Sequence, residues 1–288
     1  MSTQPKLKNN PLAGLMRQPK IYIKLPSGGQ YWPEGSLARS ETGDYPVYSM
    51  TAKDELMFKI PDALINGQAV VDVIQHCVPN IKNAWDIPNI DMDVILIAIR
   101  IATYGEKMTI PLAKNESDYE YDVDLRNIMA NLIEQTRWDP VVPVSPELTV
   151  YVKPLNYKQM TESSMQSFET QKIIEIANSS GMKEEDKIAL FKDTFNKLNS
   201  ATVGIINDTV SKIESIQGST DDPAFIKEFM EDCDREVFDA VKNHLEKLRN
   251  ENEIKPLQVQ PTAAMIAAGF EDKIIEVPLT FDASTFFG

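Results

Sequence analysis

The feature that most constrains the fold is the spacing of apolar residues in the second half of the chain. Between positions 188 and 213 they recur at intervals of three and four, and a second series with helical spacing runs from 225 to 248. Such spacing places the apolar side chains along one stripe of an α-helix. A break at residues 217–220 is followed by Asp222 and Pro223, which suit a helix cap and a first helical position. We therefore predict two long helices that fold back as an antiparallel hairpin, with a shorter helix over residues 160–177 beside them.

Both long helices are predicted to bury their apolar stripes, and residues 157–250 to fold as an autonomous unit. The first stripe consists of Ile188, Phe191, Phe195, Leu198, Thr202, Ile205, Val210 and Ile213. Replacing Phe195 by Asp would then place a charge in an apolar seam. We expect such a change to cost several kcal/mol of stability.

The first half of the chain mixes short strands with helices. Strands are predicted over residues 21–25, 47–50, 107–112, 119–125 and 148–152, the third and fourth joined as a hairpin by a polar loop at 113–118. Thr51 is predicted to cap one helix, and Pro61 to begin another that ends before Pro79. Asp91 is predicted to cap a third helix whose apolar run at 94–99 belongs at a buried centre. The predicted fold class is α+β, with a mixed first domain and a mainly helical second domain.

Changes in composition divide the chain into four predicted segments. Residues 1–20 contain three prolines and no acidic residue, which indicates an extended basic arm. An α+β domain is predicted over 21–155 and a helical domain over 156–255. A C-terminal docking tail is predicted over 256–288, with one short helix at 262–268.

The charge balance limits the classes of partner. The chain has 29 Lys and Arg residues against 43 Asp and Glu residues, a net charge of −14 that repels nucleic-acid phosphates and anionic lipid headgroups. We find no membrane-spanning apolar run and no secretory leader pattern. We therefore expect a protein of the cytoplasm in which it is made, binding neither nucleic acid nor membrane. Cys77 and Cys233 are predicted to be reduced core residues.

Residues with catalytic potential are few. His76 and His244 lie in predicted helices without metal-spaced partners, so we predict structural roles for both. No phosphate-binding glycine loop, nucleophile elbow or zinc-binding motif occurs in the sequence. We predict that the chain is not an enzyme and needs no cofactor or metal.

One cluster of carboxylates supports an alternative. Four acidic residues alternate along a predicted strand and share one of its faces, where they could ligate a divalent cation. They are Asp118, Glu120, Asp122 and Asp124. An acidic face turned to solvent explains the same pattern, so a metal-dependent enzyme is kept only as the alternative function.

The two ends of the chain are the candidate partner-binding segments. A proline-broken arm cannot build a core of its own, and aromatic residues at a chain end must dock or face water. For the tail, docking on its own core and docking on another subunit both remain open. The residues assigned to partner binding are Leu12, Leu15, Met16, Arg17, Phe281, Phe286 and Phe287.

Several short blocks of sequence occur together in this chain. They are residues 9–20, 25–29 with Tyr31, 48–55, 61–64, 91–102 and 104–105, and a closing block at 281–287. These blocks resemble those of T4-like bacteriophage baseplate proteins of the hub-assembly group, and the resemblance is clearest over residues 9–155.

The resemblance implies a structural subunit or a chaperone-like assembly protein of the baseplate hub of a contractile tail. Its partners would be other baseplate, hub and tail proteins, and it would assemble in the host cytoplasm. A host-directed binding protein is a further alternative. The sequence leaves open the direct partner, the copy number and symmetry, and whether the protein stays in the finished virion.

Overall fold

The computed structural model describes residues 16–58, 66–114, 117–179, 183–267, 269–277 and 279. Its helices are α1 Ala52–Met57, α2 Gln68–Cys77, α3 Asn89–Tyr104, α4 Leu125–Gln135, α5 Tyr157–Ser179, α6 Glu184–Thr209, α7 Pro223–Asp232, α8 Arg235–Asn252 and α9 Ala263–Ala267. Its strands are β1 Ile21–Ile23, β2 Tyr45–Val47, β3 Lys107–Lys114, β4 Ser117–Asp124, β5 Val141–Ser145, β6 Leu148–Val152, β7 Val210–Ser215, β8 Gly218–Thr220, β9 Leu257–Val259 and β10 Ile275–Val277. The predicted α+β class is confirmed.

The first core surrounds α3, as predicted from its continuous apolar run. Ile95, Ile97 and Ile99 are fully buried there, together with residues from β1, β2 and α2. The predicted cap of α1 is confirmed, because the Thr51 side chain accepts from the backbone of Asp54 and the Asp54 carboxylate accepts from the backbone of Thr51. Pro61, predicted to begin the next helix, lies outside the described residues.

Asp91 does not cap α3, and that prediction is wrong. The helix begins two residues earlier, so Asp91 lies within its first turn and is fully buried. Its carboxylate accepts hydrogen bonds from the backbone N of Ser27 at 2.8 Å, from Ser27 Oγ at 2.5 Å and from Trp32 Nε1 at 2.8 Å. The carboxylate therefore binds a loop that is distant in sequence, and it does not cap the amides of its own helix.

The predicted hairpin at 107–125 is confirmed, and its strands extend into the residues predicted as loop. β3 and β4 pair antiparallel from Lys107 opposite Asp124 to Lys114 opposite Ser117. The chain then enters α4, a helix that was not predicted. Asp124 forms its N-cap by accepting from the backbone N atoms of Arg126 and Asn127.

The second core lies on a four-stranded antiparallel sheet with the order β5, β6, β7, β8. The predicted helical assignment of Val210 and Ile213 is wrong, because both lie in β7. Val210 is paired with Val152, and Ile213 with Val150. β-branched residues suit such pairing and burial, so the sheet overrides the helical spacing here. The expected break at 217–220 is the turn into β8 and this short strand itself.

The two apolar series do not form the predicted hairpin. α6 packs mainly along α5, and the second series is divided between α7 and α8. The cap at Asp222 is confirmed, since its carboxylate accepts from the backbone N of Ala224 at 2.8 Å. The second core joins Val142 and Val150 to Val241 and Leu248, which lie on opposite sides of the boundary predicted near residue 155.

A small third core forms on the β3–β4 hairpin. β9 and β10 pair antiparallel, and Val259, Met265, Phe270 and Val277 pack with Ile110 and Tyr121. The described part of the predicted docking tail therefore packs on its own chain. Its last residues, 280–288, lie outside the described residues.

Candidate protein-binding surface

Arg17, one of the residues assigned to partner binding, is held by its own chain. Its two terminal nitrogens each donate to a backbone carbonyl at 2.6 Å, one of Ser49 and one of His76, and its guanidinium carbon lies 5.3 Å from the ring centre of Tyr48. The neighbouring Met16 is 42% exposed. The other assigned residues, Leu12, Leu15, Phe281, Phe286 and Phe287, lie outside the described residues.

The carboxylates proposed as metal ligands have separate surroundings. Asp122 accepts from Thr109 Oγ1 at 2.9 Å, Asp124 caps α4, and Glu120 is exposed. The side chain of Asp118 lies outside the description. Within the described ranges, no group of three or more His, Cys, Asp or Glu residues is arranged to hold a metal ion.

Both histidines contact groups of their own chain. His76 Nδ1 lies 2.8 Å from the Asp54 carboxylate, and His244 Nε2 lies 2.9 Å from the carbonyl oxygen of Asp139. Each contact joins elements that are distant in sequence. These geometries fit the predicted structural roles.

Asp93, one helical turn from the start of α3, should make the stability depend on pH. Burial raises the pKa of its carboxyl from 3.8 to about 6. Because the unfolded chain ionises first, the free energy of unfolding should fall as pH rises from 3.8 to 6 and then level off. Relative to wild type, Asp93→Asn should gain about 2 kcal/mol across this window. Urea unfolding at several pH values measures the difference.

The exposed Asp122→Asn variant is the matched control for that measurement. It removes an exposed carboxylate in place of a half-buried one. If the difference in free energy of unfolding between wild type and Asp93→Asn stays constant with pH, Asp93 is not the source of the pH dependence.

Helices α5 and α6 expose many large apolar side chains. Their inner faces are buried, with Ala177 at 0% and Thr194 at 4% exposure. Their outer faces carry Met160, Met165, Phe168, Ile176, Ile188, Phe195 and Val203, each more than a third exposed. Exposed apolar groups that cluster on one part of a protein mark interaction surfaces more often than scattered ones do.

Phe195 is the clearest departure from the predicted seam. It is 54% exposed and Ile188 is 64% exposed, so the predicted burial of both is wrong. Of the other stripe residues on α6, Phe191, Leu198 and Ile205 are half-buried and Thr202 is exposed. A charged side chain at position 195 should therefore lower the free energy of unfolding far less than a charge at a buried position would.

An open cleft of about 830 Å³ lies between α6, α7 and the start of β7. Its charged lining includes Lys153 and Lys227 as well as Asp208, Asp221 and Glu231. Both signs of charge are present, so the cleft does not favour one class of charged ligand.

The described residues form an α+β protein with a helical pair whose outer faces are apolar. A family profile described as T4 bacteriophage base plate protein matches residues 18–255. The chain therefore belongs to this family, and it is a structural protein of a phage tail. Comparisons with curated proteins and with solved structures found no match. Among the described helices, none is both long and apolar enough to cross a membrane.

Proposed function

We propose that this chain is a structural or chaperone-like assembly protein of the baseplate hub, and that it acts by binding other baseplate proteins. The observation that carries the proposal is the apolar outer surface of α5 and α6. Membership of the family supports a role in the phage tail. The net charge of −14 disfavours nucleic acid as the partner. Assembly would take place in the host cytoplasm, before the tail is complete.

Within this surface, α5 offers a suitable anchor. Phe168 is 49% exposed and Met165 is 36% exposed, and their spacing places both on one side of the helix. Aromatic residues and methionine are enriched at the centres of protein interfaces. The chain ends assigned to partner binding, from Leu12 to Arg17 and from Phe281 to Phe287, would extend the same function. Arg17 would hold its end of the arm in place.

Replacing Phe168 by Asp should remove baseplate partners while leaving the fold intact. Loss of an aromatic anchor costs roughly 2 kcal/mol or more, which is about thirtyfold in affinity. The tagged chain would be recovered from infected cells, and the bound proteins quantified by mass spectrometry. Circular dichroism would check the fold. Ser167→Asp adds the same charge at an exposed polar position that the helical turn places about 100° away from Phe168 on α5.

Equal recovery of baseplate proteins by both variants would contradict the use of this surface. Recovery of host proteins in place of tail proteins would favour the host-directed alternative. Mass spectrometry of purified virions would separate a permanent subunit from an assembly factor.

A further inference from the structure

The outer stripe of α6 has the spacing of a helix-pairing seam. Ile188, Phe191, Phe195 and Leu198 follow one another at intervals of three, four and three residues. Ile188 and Phe195 are mostly exposed, whereas Phe191 and Leu198 are half-buried. Apolar side chains at these intervals can interlock with the side chains of a second helix. The stripe therefore has the shape to receive one more helix.

The charges that flank the stripe indicate which helix that is. Glu185 and Lys192 are both exposed and lie seven residues apart, at equivalent positions on the outer edge of the stripe. Neither is in an ion pair with another residue of the described part of the chain. When two such helices run antiparallel, equivalent edges face each other. Glu185 of one copy then lies beside Lys192 of the other, and the contact occurs twice.

The parallel arrangement does not have this complementarity. When two such helices run parallel, each edge residue faces the residue five positions further along the partner helix. Lys192 of one copy would then face Lys187 of the other, so the Glu185 to Lys192 pairs could not form. The pairing of Glu185 with Lys192 therefore belongs to the antiparallel arrangement.

We propose that a second copy of this chain covers the outer stripe, with the two α6 helices antiparallel about a two-fold axis. Ile188, Phe191 and Phe195 of both copies form the apolar centre, and the two Glu185 to Lys192 pairs form its edge. This inference rests on the proposed protein-binding role of the helical pair and names one partner for it. Because each copy carries a charge of −14, long-range repulsion opposes pairing, and the dimer should depend on concentration.

Sedimentation equilibrium of the full chain over a range of concentrations tests the pairing. The wild type should show a reversible monomer to dimer equilibrium. Phe195→Glu should weaken the dimer at least about thirtyfold, because the change removes an anchor from both copies. Asn196→Glu, at the next exposed position, is the matched control and should leave the dimer unchanged.

Charge exchange tests the orientation with little risk to the fold. Glu185→Lys and Lys192→Glu should each weaken the dimer about fivefold, since each replaces two attractive contacts by two repulsive ones. The double variant should recover the wild-type affinity, because the exchanged charges meet again in the antiparallel pair. A double variant no better than the single variants would overturn the antiparallel arrangement.

Two further outcomes separate this inference from the proposed function. A wild-type chain that stays monomeric at every concentration overturns self-pairing, even if Phe195→Glu loses a baseplate partner. That result would assign the stripe to the other protein and leave the proposed function standing. A dimer that Phe195→Glu disrupts, in a chain that recovers no baseplate protein, would support self-pairing and count against the proposed function.

Discussion

Replacement of Asp91 by alanine should lower the free energy of unfolding by about 3–5 kcal/mol. The carboxylate is fully buried and accepts from the backbone N and the Oγ of Ser27 and from Trp32 Nε1. Removing it leaves these donors buried without an acceptor and releases the loop from α3. Urea unfolding followed by circular dichroism measures the loss.

Two variants define the cause of that loss. Asp91→Asn keeps the shape of the side chain but turns an N–H₂ group toward donors, so it should also destabilise the protein by about 2 kcal/mol or more. Asp122→Ala removes an exposed carboxylate with one hydrogen bond and should change the stability by less than about 1 kcal/mol. If Asp91→Ala were no worse than Asp122→Ala, the loop would not depend on the buried carboxylate.

Asp91 also shows where local sequence patterns stop being sufficient. An aspartate just before an apolar helical run is typical of a cap, and Thr51 and Asp222, whose caps are confirmed, follow the same rule. The partners of Asp91 lie 59 and 64 positions away, at Trp32 and Ser27. No local pattern identifies them. The blocks of sequence that contain Ser27 and Asp91 nevertheless both belong to the resemblance, and the structure brings them together.

The predicted burial of the apolar stripe on α6 was wrong for a related reason. Apolar spacing predicts which side chains share a face, and it did so correctly for residues 188–205. It does not specify how much of that face a neighbour covers, and here α5 leaves Ile188 and Phe195 exposed. Beyond Thr209, the spacing continued into residues whose partners are on β6. Long-range strand pairing decided their structure.

The apolar surface of α5 and α6 was not predicted from the sequence. Partner binding was assigned to the ends of the chain because of their prolines and aromatic residues, and that assignment stays a prediction. Of those residues, Arg17 donates to carbonyls of its own chain. Ile188 and Phe195, which the structure exposes on α6, were assigned to a core because hydrophobicity alone does not distinguish a buried seam from an uncovered one. Only the packing of the two helices separates these cases.

A fragment of residues 157–250 should fail to fold cooperatively, contrary to the expectation from its helical spacing. It lacks β5 and β6, which pair with β7 and supply Val142, Val150 and Val152 to the second core. Without them Ile213, Val241 and Leu248 lose their cover, and each fully exposed side chain of this kind costs about 1.5–3 kcal/mol.

A fragment of residues 137–255 restores these strands and the bonds between Asn252 and the backbone of Arg137. We expect this longer fragment alone to show a cooperative thermal transition by circular dichroism, and Val150→Asp within it to abolish that transition. A shorter fragment that melts as cooperatively as the longer one would show that the helices do not need the sheet.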